Sequence, residues 1–153
     1  MKKDKLEYGF GPHLMLDCFD CDREKLADMD LIFDTLDKLP SQIGMTKIMP
    51  PYVFKYQGTV PDDWGISGVV LIAESHISIH TFPDKNHAFM DIFSCKSFDT
   101  AAASLILIDL FKAARHDIQL LSRGAEFPRS IRRSSQVITR EREAHAERPR
   151  VYN

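Results

Sequence analysis

The stretch from Ser67 to Cys95 reads SGVVLIAESHISIHTFPDKNHAFMDIFSC, and it predicts the central element of the fold. The run Ile66–Phe82, which overlaps its first half, is rich in Val and Ile and therefore predicts a strand. Pro83–Asn86 carries turn residues, and Ala88–Cys95 predicts a partner strand. The middle of the chain is therefore predicted to form a β-hairpin.

The sequence on either side of this hairpin predicts two helices. The first is expected to run from the capping residue Asp22 to about Leu39 and to end at Pro40. Its apolar face, at spacings of three and four residues, consists of Leu26, Met29, Phe33 and Leu36. The second is expected to begin at Asp99 or Thr100 and to continue to about Arg115.

Three further segments predict strands. They lie at residues 13–17, within 43–57 and at 118–122, and the GTVPDDWG segment at 58–65 predicts a loop. Pro50-Pro51 either breaks the middle strand or confines it to a sheet edge.

The resulting order, β-α-β-β-β-α-β, predicts an α+β fold. We expect a two-layer αβ sandwich, in which two helices cover one face of an antiparallel sheet. A second copy of the chain is the simplest cover for the other face, so we expect a dimer.

Composition changes near the C-terminal end. We expect residues 1–129 to form one domain and residues 130–153 to form a tail. The tail holds six Arg and three Glu with little periodic apolar content, which is typical of a solvated, flexible segment. An Arg-rich contact with a partner or with nucleic acid is the alternative.

Charge and cysteine content restrict the class of protein. Apolar residues make up 44% of the chain, charged residues 27%, and the formal net charge is -2, so neither nucleic acid nor a membrane is an expected partner. The odd number of cysteines, Cys18, Cys21 and Cys95, argues against a disulfide framework. No signal-like apolar stretch follows the N-terminus. We expect a cytoplasmic protein with reduced thiols.

The polar side chains of the predicted hairpin allow several interpretations. His76, Ser78 and His80 share one face of a strand, and a half-buried strand with a polar outer face explains them without any chemistry. A metal site on the two histidines is disfavoured, because residues four apart on a strand lie about 13 Å apart.

Two other chemistries are open from the pattern alone. Cys18-x-x-Cys21 is a weak signal for a redox or zinc site, since no second cysteine pair accompanies it. Ser75 or Cys95 could act as a nucleophile with a histidine base, although no Gly-x-Ser-x-Gly motif is present.

The motif Glu74-Ser75-His76, followed by Ile-Ser-Ile-His80-Thr-Phe-Pro, resembles the processing site of the short prokaryotic S-adenosylmethionine decarboxylases. The resemblance extends from about Gly11 to about Gly124. It implies that the Ser75 hydroxyl attacks the Glu74 carbonyl to give an ester. Elimination and hydrolysis would then leave a pyruvoyl group at position 75, a β chain of residues 1–74 and an α chain of residues 75–153.

The same resemblance implies roles for the neighbouring residues. His80 would be the base for the elimination, and Ser67 would assist by hydrogen bonding to the reacting peptide. A strained Glu74–Ser75 peptide would favour the ester. Cys95 would be the general acid that protonates the decarboxylated product.

The implied cofactor is the pyruvoyl group from Ser75, with no metal and no pyridoxal phosphate. It would form a Schiff base with S-adenosylmethionine and release CO2, and the product would serve spermidine biosynthesis. The implied assembly is a homodimer of processed αβ protomers, or a larger one, with active sites near the interface between their sheets.

Three departures from the family pattern concern the substrate. Phe82 replaces the usual Trp as the candidate aromatic ring, Asp84 replaces Glu as the candidate ribose ligand, and Lys96 replaces Gly after Cys95. Arginine or ornithine is therefore an alternative substrate. A non-catalytic regulatory paralogue is the alternative from another functional class.

Overall fold

The structure is a computed structural model that describes residues 9–125. Its strands are β1 (Gly11–Phe19), β2 (Tyr52–Gln57), β3 (Trp64–Ile72), β4 (Ser75–Phe82), β5 (His87–Ser94) and β6 (Arg115–Arg123). They form one six-stranded sheet in the order β2-β3-β4-β5-β1-β6. Each neighbouring pair from β2 to β1 is antiparallel. The predicted fold class is confirmed.

Residues 11–121 form one compact unit, and the described residues 9, 10 and 122–125 belong to a second. Within the second unit, the Phe10 N–H donates to the Arg123 carbonyl at 2.7 Å. The predicted tail at 130–153 lies outside the described residues, so the proposed domain boundary stays a prediction.

The predicted hairpin strand Ile66–Phe82 is two strands rather than one. β3 ends at Ile72, β4 begins at Ser75, and these two residues pair directly across a two-residue loop, Ala73-Glu74. Neither loop residue has a positive φ, and neither is the Gly, Asn or Asp that marks most such turns. The sequence therefore carried no turn signal at this position.

The first predicted helix is also two helices, α1 (Arg23–Leu26) and α2 (Met29–Gln42). Asp22 caps α1 as predicted, since its carboxylate accepts from the N–H groups of Glu24 and Lys25. Asp28 caps α2 by accepting from the Leu31 N–H, so a new helix begins there. α2 runs through Pro40 and ends two residues later at Gln42, so the proline does not end the helix as predicted; its missing N–H costs one bond, to the Leu36 carbonyl.

The second predicted helix is α3 (Thr100–Phe111), capped by the Asp99 carboxylate on the Ala102 N–H. It ends before the predicted Arg115, which is the first residue of β6. Lys112 ends it in the left-handed region, with a φ of 49°.

The helices cover one face of the sheet, as predicted. The buried core lies between them: Leu14, Leu16, Ile66, Val70, Ile77, Ile79, Met90 and Ile92 from the sheet, and Leu26, Ile32, Leu36, Leu39, Leu107 and Phe111 from the helices. Gly68 allows the close approach, because a Cβ there would lie 2.6 Å from Leu36 Cδ1. Met29 and Phe33, predicted to be core, are 40% and 39% exposed, and Ile32 and Leu39 are buried instead.

The other face of the sheet carries the alternate side chains. It presents histidines and aromatic rings, among them His13, His76, His80, Phe89 and Phe93. At its edge β2 adds exposed Tyr52, Phe54 and Tyr56. The predicted edge position of the 43–57 strand is thus confirmed. We refer to the face of the sheet that the helices leave uncovered, with His13, His76, His80, Phe89 and Phe93, as the open face. Within residues 9–125, no helix combines the length and apolar character that a bilayer crossing requires.

Candidate active site

The peptide bond between Glu74 and Ser75 lies at the turn from β3 to β4. The Glu74 carbonyl accepts a hydrogen bond from the Cys95 N–H at 2.9 Å. The Ser75 hydroxyl is hydrogen-bonded to His76 Nδ1 at 3.2 Å. Ser75 has a φ of 158°, close to extended backbone, so a strained peptide here stays a prediction. The carbonyl thus has a fixed N–H donor beside the hydroxyl that is expected to attack it.

A second segment, residues 46–48, flanks the same turn. The Thr46 N–H donates to the Glu74 carboxylate at 3.1 Å. The Ala73 N–H donates to the Thr46 carbonyl at 2.8 Å, and the Ile48 N–H donates to the Leu71 carbonyl at 3.1 Å. These contacts hold the turn in addition to the bond from Cys95. Sequence reasoning missed them, because backbone donors leave no residue signature.

Ser94 is another site residue that the sequence analysis missed. It pairs with Ser75 in the β4–β5 register, and its side chain is buried. Its hydroxyl accepts from the Lys96 N–H at 2.9 Å and donates to the Lys96 carbonyl at 2.7 Å. This small turn fixes the backbone around Cys95, so that the N–H of Cys95 meets the Glu74 carbonyl while the residue itself is exposed.

The predicted processing residues Ser67 and His80 form a dyad. They face each other directly across β3 and β4, and the Ser67 hydroxyl is hydrogen-bonded to His80 Nδ1 at 2.9 Å. His80 lies five positions after Ser75 on β4, which corresponds to about 16 Å along an extended strand. The structure therefore pairs Ser67 with His80 but does not bring them to Ser75 of the same chain.

The predicted substrate residues lie farther along, at the end of β4. The Asp84 carboxylate accepts from Arg23 at 2.6 and 3.1 Å and from Trp64 Nε1 at 2.6 Å. The bonds from Trp64 and Arg23 hold the pKa of the Asp84 carboxyl below its ordinary value. Phe82 packs against Phe89 with ring centroids 5.6 Å apart.

Within one chain the predicted residues thus form two groups at opposite ends of β4. The cleavage group consists of Glu74, Ser75, Ser94 and Cys95. The far group consists of Ser67, His80, Phe82 and Asp84. Ser75 and Phe82 are separated by about 23 Å of extended strand.

The two thiols Cys18 and Cys21 are free, buried and hydrogen-bonded to each other. Their hydrogen bond raises the pKa of Cys18 and lowers that of Cys21. In the part of the chain that the structure describes, no cluster of three or more His, Cys, Asp or Glu side chains is arranged to hold a metal ion. The redox and zinc interpretations of this pair gain no further support.

The open face also contains a shallow cavity of about 190 Å³, lined by Met15, Asp17, Phe89, Met90, Asp91, Asp117 and Gln119. Burial raises the pKa of the Asp17 carboxyl, and the nearby Asp117 and Asp91 raise it further. Asp91 is bonded to His13 at 2.9 Å. The cavity is therefore a region of negative potential on the open face.

Comparison with known proteins identifies relatives of this chain. The sequence profile of the family described as S-adenosylmethionine decarboxylase matches residues 12–124. The S-adenosylmethionine decarboxylase proenzyme of Pyrococcus furiosus is 33% identical over 117 residues, which cover 76% of this chain and 80% of the relative. The proenzyme of the same name from Methanococcus aeolicus is 34% identical over 117 residues, which cover 75% of this chain and 94% of the relative. The crystal structure of the adenosylmethionine decarboxylase from Aquifex aeolicus VF5 superimposes with a TM-score of 0.62 at 30% identity, covering 76% of this chain and 92% of that one.

Proposed function

The chain belongs to the S-adenosylmethionine decarboxylase family, and we propose that it is a proenzyme that cuts itself between Glu74 and Ser75 and then decarboxylates S-adenosylmethionine. The observation that carries this proposal is the hydrogen bond from the Cys95 N–H to the Glu74 carbonyl, 2.9 Å long, beside the Ser75 hydroxyl. The residues present fit a pyruvoyl group, since Ser75 begins a strand at a turn whose backbone is held on both sides.

The first step is an acyl shift from nitrogen to oxygen. The Ser75 hydroxyl oxygen attacks the Glu74 carbonyl carbon, the hydroxyl proton passes to the peptide nitrogen, and the C–N bond breaks to leave an ester and a free amine on residue 75. Negative charge develops on the Glu74 carbonyl oxygen during the attack. The Cys95 N–H already points at that oxygen, so it stabilises the charge without rearrangement.

The second step is an elimination at residue 75. A base removes the proton on Cα, the bond from Cβ to the ester oxygen breaks, and Glu74 leaves as a carboxylate. Water then releases ammonia from the resulting dehydroalanine and leaves the pyruvoyl group. We assign the base to His80, which its bond to Ser67 holds in place.

The distance between His80 and Ser75, about 16 Å on one strand, makes a second copy of the chain part of this proposal. In this proposal two copies pack their open faces together about a twofold axis that crosses β4 near its middle. The far group of each copy then lies against the cleavage group of the other. The histidines and aromatic rings of the open face become buried in such a dimer. Each active site then contains residues of both copies.

In turnover, the pyruvoyl group supplies a carbonyl that binds the substrate amine and accepts the electron pair released with CO2. Cys95 lies beside position 75 and is exposed. We assign it the proton that is delivered to the α-carbon of the decarboxylated substrate.

We assign substrate binding to Phe82 and Asp84 of the second copy. An aromatic face attracts a sulfonium by about 0.5–2 kcal/mol. The Asp84 carboxylate keeps free lone pairs that can accept from ribose hydroxyls. Its existing bonds from Arg23 and Trp64 offset its charge, which favours a neutral diol over the cationic side chain of arginine or ornithine. We further propose a cytoplasmic enzyme whose product serves spermidine biosynthesis.

The test is the mass of the protein together with an assay of CO2 release. Wild-type protein should separate under denaturing conditions into residues 1–74 and a carbonyl-blocked fragment that begins at residue 75, and it should release CO2 from S-adenosylmethionine. The Ser75→Ala variant should remain one uncut, inactive chain. An uncut wild-type chain would favour the regulatory paralogue, and faster CO2 release from arginine or ornithine would replace the substrate but keep the mechanism.

A further inference from the structure

We infer that Lys96 is a positioning residue for self-cleavage, because its ammonium group closes a ring of contacts around the peptide bond that breaks. The inference deepens the proposed function and rests on it. Lys96 touches neither reacting atom, and its effect is exerted through the backbone on both sides of Glu74.

The ring has three hydrogen bonds. The Cys95 N–H holds the Glu74 carbonyl at 2.9 Å, and the Thr46 N–H holds the Glu74 carboxylate at 3.1 Å. These donors belong to segments that are about fifty residues apart in sequence. The Lys96 ammonium donates to the Gly44 carbonyl at 2.8 Å and thereby joins the two segments.

The acceptor is suited to a cation. Gly44 follows the end of α2, with a φ of 73° that favours glycine. Carbonyl groups at the C-terminal end of a helix carry partial negative charge, and the last turn of α2 contains no basic residue of its own. Lys96 supplies that charge from a distant part of the chain.

The turn at 94–96 directs the lysine toward this acceptor. The buried Ser94 hydroxyl bonds both the N–H and the carbonyl of Lys96, so the backbone from which the side chain projects is fixed. Attack on a carbonyl requires close alignment of the reacting atoms, and a small displacement of Glu74 slows it. Lys96 therefore restricts the movement of Glu74 relative to Ser75.

The experiment follows the cleavage of freshly purified proenzyme over time on denaturing gels. Lys96→Met keeps the aliphatic stem and removes the ammonium, and it should slow cleavage by about fivefold, the range of one hydrogen bond. The uncut chain should accumulate as the amide rather than as the hydroxylamine-sensitive ester, because the acyl shift is the step affected. Lys96→Arg, which retains a donor cation, should recover most of the rate.

The matched control is Lys38→Met, which removes a comparable exposed bond, 2.7 Å from Lys38 to Asp34, elsewhere on α2. It should cleave at the wild-type rate, and melting temperatures should verify that all variants are folded. A Lys96→Met chain that cleaves as fast as Lys38→Met, or that accumulates ester, overturns the role of Lys96. A wild-type chain that never cleaves overturns the proposed function itself, so the two failures are distinguishable.

Discussion

The two ends of β4 differ in how they are held. At the Ser75 end, the Glu74 carbonyl accepts from the Cys95 N–H and the Glu74 carboxylate accepts from the Thr46 N–H. Ser94, the strand partner of Ser75, is 0% exposed. At the Phe82 end, His80 is exposed and Asp84 is held by an Arg23 side chain that is 57% exposed. One chain thus holds a reactive peptide bond rigidly, while the proposed helpers of that bond face solvent about 16 Å away. The difference supports the proposal that a second copy completes the site.

The largest expected effect is complementation between two inactive variants. Ser75→Ala lacks the nucleophile and His80→Ala lacks the base, so neither homodimer should mature. In a mixed dimer, one site combines the His80 of the Ser75→Ala chain with the Ser75 of the His80→Ala chain. Only the His80→Ala chain should therefore be cut. Co-expression with tags of different mass, followed by gel analysis, measures this directly. Cleavage of His80→Ala chains without the partner variant, or none in the mixture, would place the base elsewhere.

The next effect concerns Cys95 and separates its backbone from its side chain. Cys95→Ala keeps the N–H that contacts Glu74, so the chain should still cut itself. It loses the proposed proton donor, and turnover should fall by about a hundredfold or more. Ser97→Ala is the control on a neighbouring exposed position. Full turnover by the cut Cys95→Ala protein would remove the thiol from the mechanism.

A smaller effect is expected from Thr81, which anchors the far end of β4 to the rest of the fold. Its buried hydroxyl donates to the Leu26 carbonyl at 2.8 Å and accepts from the Ile66 N–H at 3.1 Å. Thr81→Val leaves both groups unsatisfied, and we expect a loss of about 2 kcal/mol in the free energy of unfolding. Thr81→Ser retains the hydroxyl and should lose less. Equal losses in denaturant titrations would show that the methyl group matters and the hydrogen bonds do not.

The smallest effect is expected at Asp84. Hydrogen bonds from Trp64 and Arg23 lower the pKa of its carboxyl and the charge of Arg23 lowers it further, so Trp64→Phe and Arg23→Gln should each raise that pKa. The pKa of Asp84 is lower in the folded than in the unfolded protein, so these bonds stabilise the fold fully at pH values above the unfolded pKa of about 3.9. This stabilisation disappears as the pH falls through the folded pKa. Stability should change only slightly for Arg23→Gln, since the pair is exposed and solvent screens it.

Carboxyl NMR resonances of Asp84 provide the measurement. Arg115→Gln is the control. It removes a similar ion pair, in which Arg115 Nε lies 2.6 Å from the Asp20 carboxylate, and leaves the partners of Asp84 in place. An Asp84 pKa that is unchanged in both Trp64→Phe and Arg23→Gln would mean that these bonds do not persist in solution.

Much of the fold followed from the sequence because its signals are local. The Asp22 and Asp99 caps predicted where α1 and α3 begin, and the β-branched run at 66–82 predicted extended structure, although as one strand rather than as β3 and β4. The break at Ala73-Glu74 was not predictable from turn chemistry, because this loop needs no residue with positive φ. The choice of Ile32 over Phe33 as core was also not predictable, since it depends on where Asp28 restarts the helix.

The candidate site was predictable in part. The family resemblance named Ser67, Ser75, His80 and Cys95, and their roles stay predictions. The separation of Ser75 from His80 could have been derived, because five residues on a strand have a known length. The backbone donors of Thr46 and Cys95 and the bond from Lys96 to Gly44 could not, because they depend on contacts between distant segments.

The position of the scissile bond has one more consequence. It lies where the β3–β4 loop meets β4, so cutting it affects only the terminal Ile72–Ser75 pair, because the Ser75 nitrogen leaves as ammonia, while β3 and β4 stay paired from Ser67 with His80 to Leu71 with His76. A nicked molecule should therefore keep its native size, and its halves should come apart only in denaturant. The proposed maturation would thus create a new chain terminus on the inner strand β4 while leaving the strand order of the sheet unchanged.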